Sequence, residues 1–309
     1  MKIYKPKFWS KKRSLTSFLL LPISSFLQLL VLLKNIFNNT EKFSVPIICI
    51  GNIYLGGTGK TPLSIKIVKI LEKINKRTAI VKKFYSEHID EFKLIESKKI
   101  ILFKNLSRTL AIKEAITSKF ECIVLDDGFQ DMSINKNLNI ICFNEKQLIG
   151  NGMTIPSGPL RESMSSLKKC QIVMINGDKN IEFERQVKNI SENINIFYSK
   201  YLPVDIEKFK DHKLLVFAGI GNPENFFNLL EKNNLKIFKK MSFPDHYNYS
   251  LSELNKIINF ASKNNLKILT SEKDYFRIKH YKLSEIHHLN INLEIENEET
   301  FIKEITRYI

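Results

Sequence analysis

A glycine-rich segment, GGTGKT at residues 56–61, has the residue types of a phosphate-binding loop. Glycine adopts left-handed dihedrals and leaves room for a phosphate, so backbone N–H groups can line the loop, those of Gly56, Gly57, Thr58 and Gly59. Lys60 is expected to reach the β- and γ-phosphates of ATP, and the Thr61 hydroxyl is expected to bind magnesium. Tyr54 stands where the strict GxxxxGK[ST] pattern has its first glycine. The segment is therefore the shorter GGxGKT variant.

Two adjacent carboxylates end an apolar run in ECIVLDDGFQ. Ligands of open α/β sheets collect at the carboxyl ends of strands, where a magnesium ion beside the phosphate-binding loop also belongs. Successive strand residues point in opposite directions. One of Asp126 and Asp127 is thus expected to bind Mg²⁺ or its waters while the other fixes the loop, and the sequence leaves the assignment open. The alternative is a surface turn marked by Asp and Gly.

An arginine and a glutamate are adjacent in the long Gly- and Pro-rich loop GNGMTIPSGPLRES, which follows the apolar run LNIICF. Arg161 is positioned in sequence to neutralise charge on a transferred phosphoryl group, and Glu162 to support the metal. Taken alone, the loop also fits an ordinary turn.

The segments around these residues alternate between strand and helix patterns. VPIICI (45–50) has the apolar run of a buried parallel strand, and the helix pattern that follows has apolar residues at Leu63, Ile67, Ile70, Leu71 and Ile74. From Lys213 the alternation resumes. The pattern predicts an α/β fold: a P-loop NTPase-like, mostly parallel sheet flanked by helices, with a second, smaller α/β domain.

The predicted division of the chain is an N-terminal membrane-associated helical segment (1–40), a nucleotide-binding domain (41–205) and a smaller domain (206–309) that closes a cleft over the acceptor. The last helix is a candidate for returning to the first domain. The segment AGIGNPE is predicted to form a strand-to-helix turn. The segment TSEKD (270–274) is predicted to be a surface or hinge feature unless the fold brings it to the site.

Composition excludes several classes of protein. The chain has 309 residues, 43% of them hydrophobic, which excludes a disordered tail or a collagen-like chain. The net charge of +16 attracts phosphates, anionic lipids or nucleic acid, but no RNA-binding signature or zinc finger is present, and no nucleic acid is expected. A compositional bias towards lysine is the plainer explanation of this positive charge.

The chain has four cysteines, which are scattered along the sequence. This arrangement suits buried thiols in a reducing compartment.

Twenty uncharged residues lie between Arg13 and Lys34, after the basic residues Lys5, Lys7, Lys11, Lys12 and Arg13. A continuous helix of this length spans about 30 Å, enough for a bilayer. Pro22 disfavours an unbroken helix, so an interfacial helix or helical hairpin is preferred to a clean span. A buried core helix is the alternative. No small-residue cleavage site follows, which argues against a signal peptide.

The ordered blocks GNIYLGGTGKTP, DDGFQ, GNGMTIPSGPLRE, FPDHYNYS and TSEKD resemble the tetraacyldisaccharide 4'-kinases of Gram-negative bacteria. The resemblance implies ATP-dependent phosphorylation of the 4'-hydroxyl of a tetraacylated glucosamine disaccharide 1-phosphate, giving lipid IVA. It also implies Mg²⁺ as a cofactor and a place on the cytoplasmic leaflet of the inner membrane. Six residues of this chain match residues of the family's blocks: Lys60, Thr61, Asp126, Asp127, Arg161 and Glu162. A monomer is expected.

The resemblance further implies a general base and a histidine that holds it. The family has an aspartate in a GDEP block and a histidine in a DH block, for which this chain offers Asp90 in IDEFKLI and His246 in FPDHYNYS. In isolation, Asp90 would be an exposed acid at a helix start and His246 a structural histidine at a turn. A membrane-bound GGxGKT ATPase switch and a kinase of a soluble small molecule are the alternative functions.

Overall fold

The computed structural model describes residues 6–36 and 39–309 of the chain. Residues 1–5 and 37–38 of the predicted N-terminal segment, including Lys5 of the basic flank, lie outside the described residues. The described residues form two compact units. Of the described residues, the larger comprises 6–36, 39–84, 100–200 and 294–309, and the smaller comprises 85–99 and 201–293.

The larger unit is built around a seven-stranded sheet. Its strands are β1 (Ile47–Gly51), β2 (Thr78–Lys83), β3 (Leu102–Asn105), β4 (Cys122–Asp126), β5 (Leu138–Asn144), β6 (Ile172–Asn176) and β7 (Asn195–Val204). Its helices are α1 (Leu15–Ile36), α2 (Lys60–Lys73), α4 (Arg108–Thr117), α5 (Ile181–Ile190) and α10 (Glu298–Thr306). The strand order is β3-β2-β4-β1-β5-β6-β7, and all the pairings are parallel.

The central strands of this sheet are buried on both faces, as expected of a parallel sheet covered by helices. Every residue of β1 and β4 is buried. Because β1 and β4 are neighbours, Ile50 pairs with Asp126, so the loop after β1 and the paired aspartates emerge at the same sheet edge. This is the edge at which ligands of α/β sheets bind.

The smaller unit has a four-stranded parallel sheet in the order β11-β10-β8-β9, with apolar clusters that include residues of β8 and β10. Its strands are β8 (Lys213–Ala218), β9 (Lys236–Ser242), β10 (Lys267–Ser271) and β11 (Ile286–Ile295). Its helices are α3 (Ile89–Ser97), α6 (Glu207–Lys210), α7 (Pro223–Lys232), α8 (Leu251–Lys263) and α9 (Glu272–Ile278). The AGIGNPE segment forms the turn between β8 and α7.

The division differs from the predicted one in its boundary, which falls at residues 200/201, and in the placement of one internal segment. The last helix, α10, belongs to the larger unit with the rest of residues 294–309, as predicted for a helix that returns to the first domain. Residues 85–99, predicted within the nucleotide-binding domain, belong to the smaller unit. The physical reason is that α3 packs on α9 and forms ion pairs with it, including Asp90–Arg277 and Glu91–Lys273.

Helix α1 runs without interruption from Leu15 to Ile36 and contains Pro22. The expectation that Pro22 interrupts the helix, and with it the predicted helical hairpin, is therefore wrong. Hydrogen bonds that join Ser17 and Ser24 to the segment 151–157 hold the helix on both sides of the proline. The stretch Leu15–Leu33 is long and apolar enough to cross a membrane, and only 11% of it is buried, which excludes the buried core helix.

The four cysteines are free thiols inside the larger unit. Cys49, Cys122, Cys142 and Cys170 are all buried, as the apolar sequence around them indicates. Burial raises the pKa of Cys49 and of Cys122 to about 12, so these thiols stay protonated at neutral pH.

Candidate functional site

The phosphate-binding loop, residues 52–59, connects β1 to α2 and has the backbone that its glycines predict. Gly56, Gly57 and Gly59 have φ values of 80°, 55° and 91°, in the left-handed region that favours glycine. Gly59 is the N-cap of α2, which begins at Lys60. Glycine provides no capping side chain, so the first N–H groups of the helix remain available to an anion.

A buried asparagine fixes the start of this loop. The Nδ2 atom of Asn52 donates to the carbonyl oxygen of Tyr54 at 2.5 Å and to Oγ1 of Thr58 at 3.0 Å. The Thr58 hydroxyl therefore stabilises the loop, which leaves its backbone N–H as the predicted phosphate contact. Gln130 of the DDGFQ block donates to the Asn52 carbonyl oxygen and ties the two motifs together.

Asp126, at the end of β4, lies beside the phosphate-binding loop and is fully buried. Its Oδ2 atom accepts hydrogen bonds from the Thr61 hydroxyl at 2.9 Å and from Nζ of Lys82 at 2.5 Å. Its Oδ1 atom is buried and has no hydrogen-bond partner among the described residues. A free carboxylate oxygen next to a threonine hydroxyl fits Mg²⁺, which binds through few protein oxygens and keeps several waters.

Asp127 serves a different purpose from its neighbour, since it contacts the cations of the site. Its Oδ1 atom lies 3.0 Å from Nη1 of Arg161 and 3.6 Å from Nζ of Lys60. Its carbonyl oxygen accepts from Nη2 of Arg108 at 2.7 Å. The structure thus brings together the predicted residues Lys60, Asp127 and Arg161, and adds Arg108, which sequence reasoning missed. Three clustered cations favour binding of a polyphosphate.

The Glu162 carboxylate interacts with Gln130 and with nearby lysines, and no contact with Thr61 or Asp126 is among its interactions in the described part of the chain. Burial raises the pKa of Glu162, while the charges of Lys169 and Lys136 and a hydrogen bond with Gln130 oppose that rise. Across residues 6–36 and 39–309, no group of three His, Cys, Asp or Glu side chains could hold a metal ion. The role of Glu162 in supporting the metal therefore stays a prediction.

Asp90 lies in the first turn of α3 in the smaller unit, and it is buried, so the interpretation as an exposed acid is wrong. Its Oδ2 atom accepts hydrogen bonds from Nε and Nη2 of Arg277, at 3.1 and 2.6 Å. Its Oδ1 atom lies 3.5 Å from Nδ1 of His246, at the outer limit of a hydrogen bond. Neither of these two atoms has another hydrogen-bond partner in the described part of the chain.

His246 lies between β9 and α8, with a φ of 53°. Its ring stacks on that of His88, which precedes α3, with centroids 4.5 Å apart and planes at 10°. The stacking fixes the plane of the His246 ring beside Asp90. The structure thus places the two predicted residues together and adds His88 to them.

The TSEKD motif is buried rather than on the surface, and Arg277 joins it to the predicted site residue Asp90, which is the exception that the sequence interpretation allowed. Asp274 is fully buried and accepts from the hydroxyls of Ser271 and Tyr249 and from the N–H of Gly219. Nη1 of Arg277 lies 2.7 Å from Asp274. Arg277 therefore joins Asp274 to Asp90. The sequence feature that could have indicated this link is the spacing of Asp274 and Arg277, three residues apart in the helix α9.

The surroundings of Asp90 favour its charged form. Burial alone would raise the pKa of Asp90, but the contact with His246 and the charges of Arg277 and Lys273 lower it to about 2. The ordinary value is near 3.8, so the folded chain binds this proton less readily than the unfolded chain. The carboxylate thus contributes stability above pH 4, and that contribution is lost as the pH falls towards 2.

We therefore expect acid to destabilise the smaller unit partly through Asp90. Between pH 4 and pH 2 this group should account for about 2 kcal/mol of the fall in unfolding free energy. Urea unfolding of the native chain and of Asp90→Asn at a series of pH values measures the difference. Equal acid sensitivity of the two proteins would contradict the assignment.

Comparisons with known proteins find similarity along nearly the whole chain. The model of the family described as tetraacyldisaccharide-1-P 4'-kinase matches residues 16–105 and 90–309. A tetraacyldisaccharide 4'-kinase of Pelagibacter ubique is 46% identical over 99% of this chain and 98% of its own length. Another, of Rickettsia bellii, is 30% identical over 90% of each chain.

A crystal structure of LpxK from Aquifex aeolicus in complex with ATP has a similar fold. Its TM-score is 0.68 at 24% identity, covering 94% of this chain and 96% of that one. This likeness and the sheets described above confirm the predicted α/β fold with a mostly parallel sheet. The matches in sequence confirm the resemblance stated from the motifs, and the chain belongs to the tetraacyldisaccharide 4'-kinase family.

Proposed function

We propose that the chain transfers the γ-phosphoryl group of ATP to the 4'-hydroxyl of a tetraacylated glucosamine disaccharide 1-phosphate, giving lipid IVA. The observation that carries the proposal is the 46% identity, over nearly the full chain, to a protein named tetraacyldisaccharide 4'-kinase. The ATP in the complex of the Aquifex aeolicus protein supports the choice of phosphoryl donor.

The residues of the larger unit would bind the triphosphate. The N–H groups of the phosphate-binding loop and of the α2 N-terminus would donate to the phosphate oxygens. Lys60 and Arg161, which both lie near the Asp127 carboxylate, would neutralise charge on the β- and γ-phosphates as the terminal bond breaks. Most of the rate enhancement would come from this alignment and charge neutralisation.

Thr61 and Asp126 would hold the Mg²⁺ ion. The ion would supply charge neutralisation between the phosphates when bound. The buried Oδ1 atom of Asp126, which has no hydrogen-bond partner among the described residues, supports this assignment over Asp127. Lys82 holds the other oxygen of Asp126 and fixes the carboxylate orientation.

Asp90 and His246 would act on the acceptor hydroxyl. The 4'-oxygen attacks the γ-phosphorus, the bond to the β–γ bridging oxygen breaks, and the hydroxyl proton passes to Oδ1 of Asp90. A carboxylate with a pKa of about 2 is a weak base, so its main contribution would be to align the hydroxyl and receive the proton late. A loose transition state makes little demand on the base. Arg277 would keep Oδ2 occupied and Oδ1 available.

The proposal is tested with ATP labelled at the γ-phosphate and the acylated disaccharide as acceptor. We expect the label to enter the organic phase on lipid extraction. Label released only as inorganic phosphate would favour the alternative of a membrane-bound ATPase switch. Transfer to a soluble acceptor instead would favour the other alternative, a kinase of a soluble small molecule.

We also propose that the chain is a monomer that associates with the cytoplasmic leaflet of the inner membrane through α1. Apolar side chains on most of the helix surface are exposed, among them Leu19 at 71% and Phe26 at 58%. The basic residues before α1 favour anionic headgroups by about 1 kcal/mol each. An acylated acceptor leaves a bilayer at a cost of about 0.8 kcal/mol per CH₂, so a kinase at the surface meets its substrate there.

Replacing Leu19, Ile23 and Phe26 with serine should release the protein from vesicles of phosphatidylethanolamine and phosphatidylglycerol. The three side chains are exposed on α1, and their loss removes apolar area that a bilayer would cover. Vesicle flotation measures binding, which we expect to fall at least tenfold while ATP affinity stays unchanged.

Three exposed apolar residues elsewhere in the larger unit provide the matched control. Ile101, Leu106 and Ile181 have similar exposure, and their replacement with serine should leave flotation unchanged. Persistent binding of the α1 variant, or equal loss in the control, would point to another membrane-binding surface.

A further inference from the structure

Helix α1 carries one narrow polar stripe, formed by Ser17, Ser24 and Gln28. Ser24 and Gln28 follow Ser17 by seven and eleven residues, which places all three on the same face of a helix. Ser17 and Ser24 are buried and Gln28 is half-buried, whereas most neighbouring side chains are exposed. The stripe therefore marks the side of α1 that packs on protein.

The stripe contacts the loop of residues 151–161, which ends in Arg161. Ser24 Oγ lies 3.0 Å from the Thr154 carbonyl oxygen and 2.8 Å from Oγ of Ser157, and it accepts a hydrogen bond from the Ser157 N–H at 3.0 Å. Nδ2 of Asn151 donates to Oγ of Ser17 at 3.1 Å. All three serines in these contacts, Ser17, Ser24 and Ser157, are almost completely buried.

The last member of the stripe contacts the functional residue directly. Nε2 of Gln28 donates to the carbonyl oxygen of Arg161 at 3.2 Å. The N–H of Arg161 in turn donates to the carbonyl oxygen of Ile53 at 2.6 Å, at the start of the phosphate-binding loop. The same loop receives a second support, because the N–H of Leu55 donates to the carbonyl oxygen of Pro159.

The 151–161 loop is tightly packed along its length. Gly158 has no room for a side chain, since a Cβ there would overlap Asn151 and Met153. Leu160 is fully buried and forms β-bridges with Tyr54 and Thr154. Because a close-packed segment transmits strain, a displacement of the loop at its contact with Ser24 would also move Arg161 and Tyr54.

We propose that Ser24 and Gln28 are positioning residues for phosphoryl transfer. They hold the 151–161 loop to α1, and through it they set the position of Arg161 and of the start of the phosphate-binding loop. The helix that carries the exposed apolar surface thus also supports the nucleotide site. This inference rests on the proposed function, which assigns Arg161 to the transferred phosphoryl group.

The test uses Ser24→Ala and Gln28→Leu in the full chain, with Ser25→Ala as matched control. Ser25 is exposed on the same helix, next to Ser24. We expect Ser24→Ala and Gln28→Leu each to lower kcat at least fivefold while vesicle flotation stays within twofold of the native chain. Hydrogen exchange of the Leu55 and Arg161 amides should accelerate in both. The control should match the native chain in every measurement.

A kcat within twofold of native for both variants, or unchanged exchange at the two amides, would overturn the inference. Loss of flotation in either variant would also overturn it, because the residue would then act on the lipid. Failure of the proposed function is a separate result, in which the native chain itself transfers no label to lipid. The exchange measurement decides the structural link in that case, since it requires no acceptor.

Discussion

Lys60→Ala should lower kcat/KM for phosphoryl transfer about 10³-fold, the size expected when a charge that stabilises the transition state is removed. Nζ of Lys60 lies in the cation cluster around Asp127, at the first position of α2. Alanine is compatible with the helix and leaves Arg161 paired with Asp127, so the fold should be retained. Transfer of labelled phosphate into extracted lipid gives the rate, and thermal unfolding checks the fold.

Lys69→Ala is the matched control for this variant. Lys69 is exposed on the same helix, nine residues after Lys60, and its removal changes net charge by the same amount. We expect its activity to equal that of the native chain. Should Lys60→Ala keep more than a tenth of native activity, the assignment of the GGTGKT segment to the triphosphate would have to be abandoned.

Asp90→Asn should lower kcat about 10²- to 10⁴-fold, the range for removal of a group that accepts a proton in the transition state. Asparagine preserves the shape of the side chain but cannot take the proton. ATP affinity should change little, since the residues proposed to bind the triphosphate belong to the larger unit. Single-turnover transfer and ATP binding, measured separately, distinguish the two effects.

Glu96→Gln serves as its control, because Glu96 is an exposed carboxylate on the same helix α3. Asp90→Asn also removes a charged partner of the buried Arg277, so its stability has to be measured alongside. His246→Gln offers a second approach, with an expected loss of kcat that leaves the Asp90–Arg277 pair intact. Transfer at the native rate by Asp90→Asn would refute its role while leaving the kinase assignment standing.

The residues that sequence reasoning found belong to short contiguous blocks. The phosphate-binding loop is specified locally, since its glycines, its lysine and the following helix are adjacent in the chain. The same holds for Asp126 and Asp127 at the end of an apolar run. Lys82, which it missed, depends on which strands are neighbours. Lys82 reaches Asp126 because β2 pairs with β4 in a register that places the two residues opposite each other.

The surroundings of Asp90 could not be predicted for a similar reason. Arg277 and Lys273 approach α3 from a segment more than 180 residues further along the chain. Local sequence describes Asp90 as an acid in the first turn of a helix, which is usually exposed. Only the packing of α3 on α9 buries it, and that packing also explains why residues 85–99 belong with the smaller unit.

The burial of all four thiols has a practical consequence for spectroscopy. Because the thiolate is the form that attacks an alkylating reagent, protonated and inaccessible cysteines should react slowly with maleimides. A single cysteine introduced at the exposed position Leu19 would then accept a fluorophore or spin label selectively, without first removing the native thiols. The emission or line shape of that probe would report directly on the environment of α1.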